Sequence, residues 1–337
     1  MKKNSTILQL CLTILAVLTA LIISLLLGSQ KLTFSQFIQA FTQKDSFAST
    51  VIWGLRLPRS ILVMISGALL ASSGACFQMY FRNSLAEPGI IGISSGATLG
   101  AVIAQLTGAG AILFGTISPI NLFAFLGALF AGFVITLIST KTKSQNSTTL
   151  LLCGTALGTF YASLSSIILI TKIKQINGIY TWILGSFNGR SWQEFKLIII
   201  PGIIALTLMF FSANKLDLMN AGEEGARALG LKTERLRLVV LICASLAVSA
   251  AVCAGGTINF IGLIAPHIVK KIYGVKGTKG MFLIPFSAMY GSILLLLSDT
   301  FARVVIAPAE LPAGLITSLL GAPFFVSLIF SKQEISR

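Results

Sequence analysis

Residues 88–140 read PGIIGISSGATLGAVIAQLTGAGAILFGTISPINLFAFLGALFAGFVITLIST and contain no charged side chain. A helix needs about 20 apolar residues to cross the roughly 30 Å hydrocarbon core of a bilayer. This run of 53 residues is therefore long enough for two crossings and must fold back once. We expect the turn in the loop-like residues 107–121. The stretch by itself predicts a membrane protein.

The whole chain has the same character. Of its 337 residues, 55% are hydrophobic and 10% are charged, and the mean hydropathy is +0.90. A soluble domain of that composition could not cover its surface with polar groups. No linker or low-complexity tract divides the sequence, so we expect one transmembrane domain over residues 1–337. The predicted fold class is all-α, a polytopic bundle of membrane helices.

Uncharged runs define the expected spans, at residues 4–30, 60–81, 88–140, 144–171, 197–214, 238–269, 280–298 and 311–331. The run at 238–269 can hold one helix or two, and the charge distribution decides because Lys and Arg accumulate in cytoplasmic loops. Ten spans with both termini cytoplasmic place 16 of the 25 basic residues inside. Without a crossing between Cys253 and Tyr273, 11 lie inside. We therefore predict about ten transmembrane helices.

The crossing between Cys253 and Tyr273 contains Gly256, Gly262 and Pro266. Because proline has no backbone N–H and clashes inside a helix, this backbone cannot be one unbroken ideal helix. Irregular backbone at membrane depth must be buried in protein or line an aqueous cavity. Two interpretations stay open: a transport pathway, and a proline kink that neighbouring helices satisfy.

Small residues at helical spacing predict close packing of helix backbones. They occur in two groups, Gly92, Gly96 and Gly100, and Gly67, Ala71 and Gly74.

The chemistry-bearing residues exclude several functions. A net charge of +15 would indicate nucleic acid for a soluble protein, but here it indicates anionic lipid headgroups, with no nucleic-acid partner. Protease, hydrolase and phosphate-loop motifs are absent from the sequence. We therefore expect no enzyme activity, no bound cofactor and no metal site. The single histidine, His267, is expected in the core and not as a metal ligand.

An ion-coupled transporter would usually carry a carboxylate near the membrane centre. The nearest candidate, Asp299, lies at the end of its run and four residues before Arg303, on the same helical face. Energy therefore comes from a partner, or the chain is a stand-alone channel or secondary transporter.

The longest predicted cytoplasmic loop covers residues 214–237. Glu223 and Glu224 suit a helix start, where the dipole favours anions, and Gly230 suits a helix end. The loop thus predicts a short helix parallel to the membrane. It is either an amphipathic helix resting on lipid or a lever that receives force from an ATPase.

Further motifs follow one another along nearly the whole chain: Leu55-Arg-Leu-Pro-Arg59, Arg82-Asn83 with Leu85-Ala-Glu-Pro-Gly89, Gly222-Glu-Glu with Leu229-Gly-Leu231, Pro266-His267, Glu310-Leu-Pro312 and Gly321-Ala-Pro-Phe324. In order and spacing they resemble the permeases of type II ABC importers, the FecCD or BtuC-like family, which carries ferric siderophores, haem and cobalamin. Ser84, Asn259 and Lys270 depart from the family pattern.

The resemblance implies a complex in a bacterial cytoplasmic membrane. Its partners are a second permease copy or a paralogue, two ATPase subunits that use ATP and Mg, and an extracytoplasmic substrate-binding protein. The expected cargo is an iron–siderophore complex, with haem or cobalamin as alternatives.

Residue roles also follow from the resemblance. Arg56, Arg59 and Arg303 are expected to dock the binding protein; the alternative is that they anchor the helix among headgroups or pair internally, as Arg303 could with Asp299. Coupling to the ATPase is expected at Gly222, Glu223, Glu224, Ala226, Arg227, Leu229 and Gly230. Pathway or gate candidates are Gly256, Phe260, Gly262, Pro266 and His267, with cavity walls in residues 148–171 and 253–273.

Overall fold

The computed structural model of the protein describes residues 2–30, 32–43, 45–106, 118–141, 147–171 and 176–335. Regular structure in these residues is helical. The α-helices are α1 (Lys2–Leu26), α2 (Phe34–Thr42), α3 (Phe47–Ser49), α4 (Leu57–Tyr80), α5 (Ile93–Leu106), α6 (Pro119–Lys141), α7 (Ser147–Thr171), α8 (Ile176–Ile183), α9 (Trp192–Leu218), α10 (Gly222–Ala228), α11 (Thr233–Gly255), α12 (Ile261–Tyr273), α13 (Gly280–Val304) and α14 (Ala313–Ile335). A π-helical segment, Thr50–Arg56, leads into α4, and 3-10 turns lie at Pro88–Ile91, Met219–Ala221 and Gly274–Thr278.

The helices match the uncharged runs. Among the described residues, seven helical segments are long and apolar enough to cross a membrane. Helix α5 and the Ala313–Ser327 part of α14 are shorter apolar segments. The run at 88–140 contains α5 and all of α6 except its last residue, and the run at 238–269 contains most of α11 and most of α12. The prediction of an all-α membrane bundle with about ten spans is therefore confirmed. The expected turn at 107–121 falls mostly outside the described residues.

Helix α4 lies at the centre of the bundle and packs against α9, α11, α12 and α13. Its small residues allow this close approach: a Cβ atom at Gly67 would overlap the carbonyl oxygen of Gly291 on α13, and one at Gly74 would overlap the backbone of Gly262 on α12. The predicted packing role of these two glycines is confirmed.

The second small-residue group divides between two contacts. Gly96 and Gly100 press against the backbone of α6, as predicted for one helical face. Gly92 instead precedes α5 with φ 84°, and it packs against Gly154 and Gly158 of α7. All three glycines therefore make the predicted close backbone packing, but with two different helices, because the 3-10 turn ends at Gly92 in a left-handed conformation.

The backbone between α11 and α12 is irregular, as predicted, over Gly256–Phe260. Pro266 lies inside α12, where it leaves the carbonyl of Gly262 without its usual helical donor. The side-chain amide of Gln78 on α4 donates to the carbonyls of Gly262 and Leu263, at 3.3 and 3.4 Å. The proline is thus accommodated by a neighbouring helix, while the irregular backbone lies before it.

Candidate functional site

The three arginines proposed for docking lie together where α4 begins. Arg59 donates to both carboxylate oxygens of Asp299 on α13, with its shortest contact, Nη2–Oδ1, at 2.8 Å. Its Nη1 atom donates to Glu310 Oε2 at 2.7 Å. The Arg59 side chain is 9% exposed, and its guanidinium is paired within the chain with two acids, Asp299 and Glu310.

Arg303 is equally enclosed. Its Nε atom lies 3.1 Å from Asp299 Oδ2, which is the pairing that the four-residue spacing predicted. Its Nη2 atom donates to the hydroxyls of Ser24 and Thr300, at 2.8 and 3.1 Å. The internal pairing that the sequence left open therefore exists for Arg59 and Arg303.

Arg56 differs from the other two in its partners. It donates to the main-chain carbonyls of Leu25 and Leu26, at 2.7 and 2.9 Å, and to that of Gln30. Cations at the carboxyl end of a helix satisfy its last carbonyls, so Arg56 caps α1. These acceptors are uncharged, and no acid among the described residues forms an ion pair with Arg56.

A cavity of about 250 Å³ adjoins all three arginines. Its lining residues are Gly28, Ser29, Gln30, Val51, Leu55, Arg56, Arg59, Asn188, Gly189, Arg190, Arg303 and Glu310. Arg190 adds a fourth guanidinium, which sequence reasoning did not single out, and Glu194 lies 3.8 Å from it. The structure thus brings the three predicted docking arginines to one cavity, and their docking role stays a prediction.

The coupling candidates lie at the other end of α4. This helix has 24 residues, which at 1.5 Å per residue is about 36 Å. Arg59 lies in its first turn, and Arg82, just past its end, has its Nη1 atom close to Gly222. The arginine cavity and α10 are therefore separated by the length of a membrane-spanning helix.

The predicted short helix is confirmed as α10. Glu223 and Glu224 lie in its first turn, and Gly230 is left-handed just past its end, with φ 84°. Arg227 forms an ion pair with Glu223 at 3.0 Å and donates to Thr233 at the start of α11. The bond from Arg227 to Thr233 thus ties the short helix to α11.

The two sides of α10 have different surroundings. Ala226 is fully buried, and its carbonyl accepts from the N–H of Leu231 at 3.0 Å. Leu229, by contrast, is 63% exposed. Leu229 is therefore accessible from outside the chain, whereas Ala226 faces its own chain.

A second cavity, of about 740 Å³, opens where four elements meet: the loop after α4, α7, the break before α12, and α14. Its lining residues are Asn83, Leu85, Ala86, Glu87, Gly89, Leu151, Asn259, Phe260, Leu263, Ala322, Phe325 and Val326. Leu151 belongs to the predicted wall 148–171 and Phe260 to the predicted wall 253–273, so the two segments do line one cavity.

The pathway candidates do not all lie on this cavity. Phe260 lines it. Gly256, with φ 72°, packs against the carbonyl of Trp182, and Gly262 packs against α4. Pro266 is buried, and the ring of His267 lies edge-on to that of Phe324, with centroids 5.6 Å apart.

Glu87 is the lining residue that sequence reasoning missed. The N–H of Phe260 donates to Glu87 Oε1 at 3.0 Å. Burial raises the pKa of this carboxyl to about 7, opposed by the N–H groups of Phe260 and Gly262. The sequence contained a signal, because Glu87 is the one acidic residue between Asp45 and Glu194.

Comparisons with known proteins agree with these features. The sequence model of the FecCD transport family matches residues 14–331. The chain is 33% identical over 331 residues to the Fe(3+)-citrate import system permease protein YfmE of Bacillus subtilis, covering 97% of this chain and 96% of that protein. It is 36% identical over 286 residues to the cobalamin import system permease protein BtuC of Halobacterium salinarum, covering 85% of this chain and 75% of that protein.

A solved structure, described as a metal-chelate type ABC transporter in an inward-facing conformation, has a TM-score of 0.82 to this chain at 28% identity, covering 95% of this chain and 97% of that one. The relatives are transporter permeases and not catalytic enzymes. Because the family match extends over nearly all the spans, the chain belongs to the FecCD transport family and is a permease of an ABC importer.

Proposed function

We propose that this chain and a second permease, identical or paralogous, form the pathway by which an iron–siderophore complex enters the bacterial cytoplasm. An extracytoplasmic binding protein delivers the cargo, and two ATPase subunits hydrolyse ATP with Mg. The observation that carries this proposal is the placement of the arginine cavity and α10 at opposite ends of α4. One end then serves docking, and the other receives force.

The mechanism is alternating access. The loaded binding protein docks at the arginine cavity, where guanidinium groups recognise carboxylates through paired hydrogen bonds. ATP-driven closure of the ATPase subunits moves α10, whose ion pair between Glu223 and Arg227 and contact with Thr233 transmit the movement to α11. The helices then rock, and the cavity beside Phe260 closes to one side of the membrane and opens to the other.

The cargo assignment is supported by the relatives. An iron-hydroxamate permease of Bacillus subtilis is 34% identical over 345 residues, in addition to the iron-citrate permease described above. A cobalamin permease is similarly related, so haem or cobalamin is the alternative cargo. Specificity resides mainly in the binding protein, because the cavity wall near Phe260 offers three polar side chains, Asn83, Glu87 and Asn259, among apolar ones.

Disulfide crosslinking tests the coupling role. Leu229→Cys is the appropriate probe, because Ala226 is buried against its own chain. Val275→Cys is the matched control: Val275 is 81% exposed and lies in the 3-10 turn between α12 and α13, which we predict on the same membrane face. We expect an adduct with a cysteine-bearing ATPase subunit from position 229 and none from position 275. Persistent failure at position 229 in an assembled complex would contradict the proposal.

Uptake measurements test the cargo and the energy source. Cells that lack their own permease receive this chain, its binding protein and either an active or an inactivated ATPase, and are offered a labelled ferric siderophore, haem or cobalamin. We expect ferric siderophore uptake that requires the active ATPase. Uptake of haem or cobalamin instead would replace the cargo. Flux with the inactivated ATPase would favour a stand-alone channel or secondary transporter.

A further inference from the structure

Glu87 connects two segments that are far apart in the sequence. It lies in the loop between α4 and α5, and its carboxylate reaches the first residues of α12, where it accepts the N–H of Phe260 at 3.0 Å. A Cβ atom on Gly262 would lie 3.5 Å from Glu87 Cγ. The first N–H groups of a helix have no partner within it, and a carboxylate there is favoured by the helix dipole. Phe260, the residue at the N-cap position, offers no side-chain cap.

Phe260 has a backbone conformation that favours glycine, with φ 69° and ψ −17°. A residue with a Cβ keeps this conformation when its surroundings hold it there. Its N–H is held by Glu87, and its carbonyl accepts from Leu263 and Ile264 at 3.0 and 2.8 Å. Its ring lies against Gly321 of α14, where a Cβ would overlap the ring.

Glu87 and Phe260 both line the 740 Å³ cavity. The loop itself is ordered by local bonds: Asn83 Oδ1 accepts the N–H of Leu85 at 2.9 Å, and Ala86 is buried. The contact from Glu87 to Phe260 therefore joins one ordered wall of the cavity to another. The raised pKa of Glu87 agrees with a carboxyl group that is partly shielded from water.

We propose that Glu87 is a positioning residue for transport: its carboxylate holds Phe260 in the left-handed conformation, so that the loop after α4 and the start of α12 move as one wall of the cavity. The inference rests on the proposed transport function, because the movement matters only if cargo passes this wall. Without the carboxylate, Phe260 is free to relax to a negative φ, and its ring leaves Gly321. ATP is then hydrolysed with less cargo moved.

The test uses the complete importer, reconstituted with its ATPase and binding protein, and measures cargo transported per ATP hydrolysed. Glu87→Ala removes the acceptor, whereas Glu87→Gln keeps a side-chain oxygen that can accept the same N–H. Phe260→Asn introduces a residue that tolerates positive φ without outside help. Asp45→Ala removes an exposed carboxylate elsewhere and serves as the control.

We expect Glu87→Ala to lower cargo per ATP about tenfold, the usual size when a buried N–H loses its hydrogen-bond acceptor. Glu87→Gln and the Asp45 control should retain most of the wild-type value. In a chain that already carries Phe260→Asn, Glu87→Ala should lower cargo per ATP less than about twofold. The reason is that asparagine keeps a positive φ at this position without the bond from Glu87.

Two results would overturn the inference. One is a wild-type value of cargo per ATP in Glu87→Ala, and the other is an equal loss of cargo per ATP from Glu87→Ala with and without Phe260→Asn. If Phe260→Asn abolishes transport, the wild type, Glu87→Ala, Phe260→Asn and the variant that carries both substitutions are compared by apparent melting temperature. Non-additive shifts then support the inference and additive shifts overturn it. A wild-type complex without ATP-dependent uptake would instead refute the proposed function, and is recognised before any variant is compared.

Discussion

The guanidinium of Arg59 on α4 forms three hydrogen bonds of 2.8 to 3.2 Å with the carboxylate of Asp299 on α13. The same carboxylate lies 3.1 Å from Arg303, one turn further along its own helix. One acid therefore faces two buried arginines and joins two helices at the end of the bundle where docking is proposed. The arginines are held in place before any partner arrives.

Replacing Asp299 with Asn should destabilise the protein strongly. The substitution keeps the shape of the side chain but leaves Arg303 without its carboxylate and Arg59 with Glu310 alone. Breaking a buried ion pair from one side costs about 3 kcal/mol or more, because the remaining charge stays desolvated. The apparent melting temperature of the purified chain in detergent should fall by several degrees.

Glu310→Gln is the matched control for that substitution. Glu310 forms an ion pair with Arg59, whereas Asp299 pairs with both Arg59 and Arg303. The side chain of Glu310 is also more exposed than that of Asp299, 14% against 1%. We expect a smaller fall in melting temperature. Equal falls for the two variants would show that the two-arginine arrangement has no special importance.

Arg56 should contribute to binding-protein affinity through its charge. Its bonds go to uncharged main-chain carbonyls, and no acid in the described ranges forms an ion pair with it. Its side chain lines the 250 Å³ cavity. Arg56→Ala should weaken association about tenfold at low salt and flatten its dependence on salt concentration. Arg56→Lys should keep most of the affinity. The control is Lys196→Ala, an exposed basic residue on α9; equal dissociation constants for all variants would contradict docking at this cavity.

The sequence was sufficient for the helices because membrane helices are constrained individually. Each uncharged run must satisfy its own backbone hydrogen bonds in lipid, so run length predicted α1 and α4. For the run at 238–269, the distribution of Lys and Arg was also needed to predict two helices. Pairs of residues close in sequence could also be predicted. The spacing of Asp299 and Arg303 placed them one turn apart on a helix, and the structure has them paired.

The remaining parts of the site depend on contacts between distant segments. Arg59 meets Asp299 across 240 positions, and Glu87 meets Phe260 across 173. No periodicity encodes such a contact, because it depends on how the helices pack. The packing also decided that Ala226, a predicted coupling residue, is buried within its own chain, whereas Leu229 is exposed.

The two alanines near the end of α10 should respond differently to a larger side chain. Ala226 is fully buried, and Ala228 is exposed. Ala226→Leu should cost about 1–3 kcal/mol, because added methyl groups in a packed site force the backbone to move. Ala228→Leu should leave the melting temperature near that of the wild type. Similar melting temperatures for both variants would mean that α10 is not packed as the structure has it.

Gly74 should not tolerate even a methyl group. Its neighbour is the backbone of Gly262 on α12, which has no side chain that could move aside. Gly74→Ala should therefore destabilise the chain by about 2 kcal/mol or more. Gly54→Ala is the control, because a Cβ at Gly54 would have no atom of the described part of the chain within 4 Å. If the two variants melt alike, α4 and α12 are not in backbone contact.

The raised pKa of Glu87 predicts that the stability of the folded chain depends on pH. Burial raises it from its ordinary value of 4.5 to about 7, so between these values the folded chain holds a proton that the unfolded chain has lost. The stability from this proton is complete below about pH 4.5 and disappears as pH rises through about 7.

The wild-type chain should therefore melt at a lower temperature at about pH 8 than at about pH 5, by an amount to which Glu87 contributes on the order of 2 kcal/mol. Glu87→Gln stays neutral at every pH and should lose that part of the dependence. Asp45→Asn removes an exposed carboxylate and should follow the wild type. If Glu87→Gln instead retains the full pH dependence, the carboxyl of Glu87 is not the enclosed group that holds Phe260.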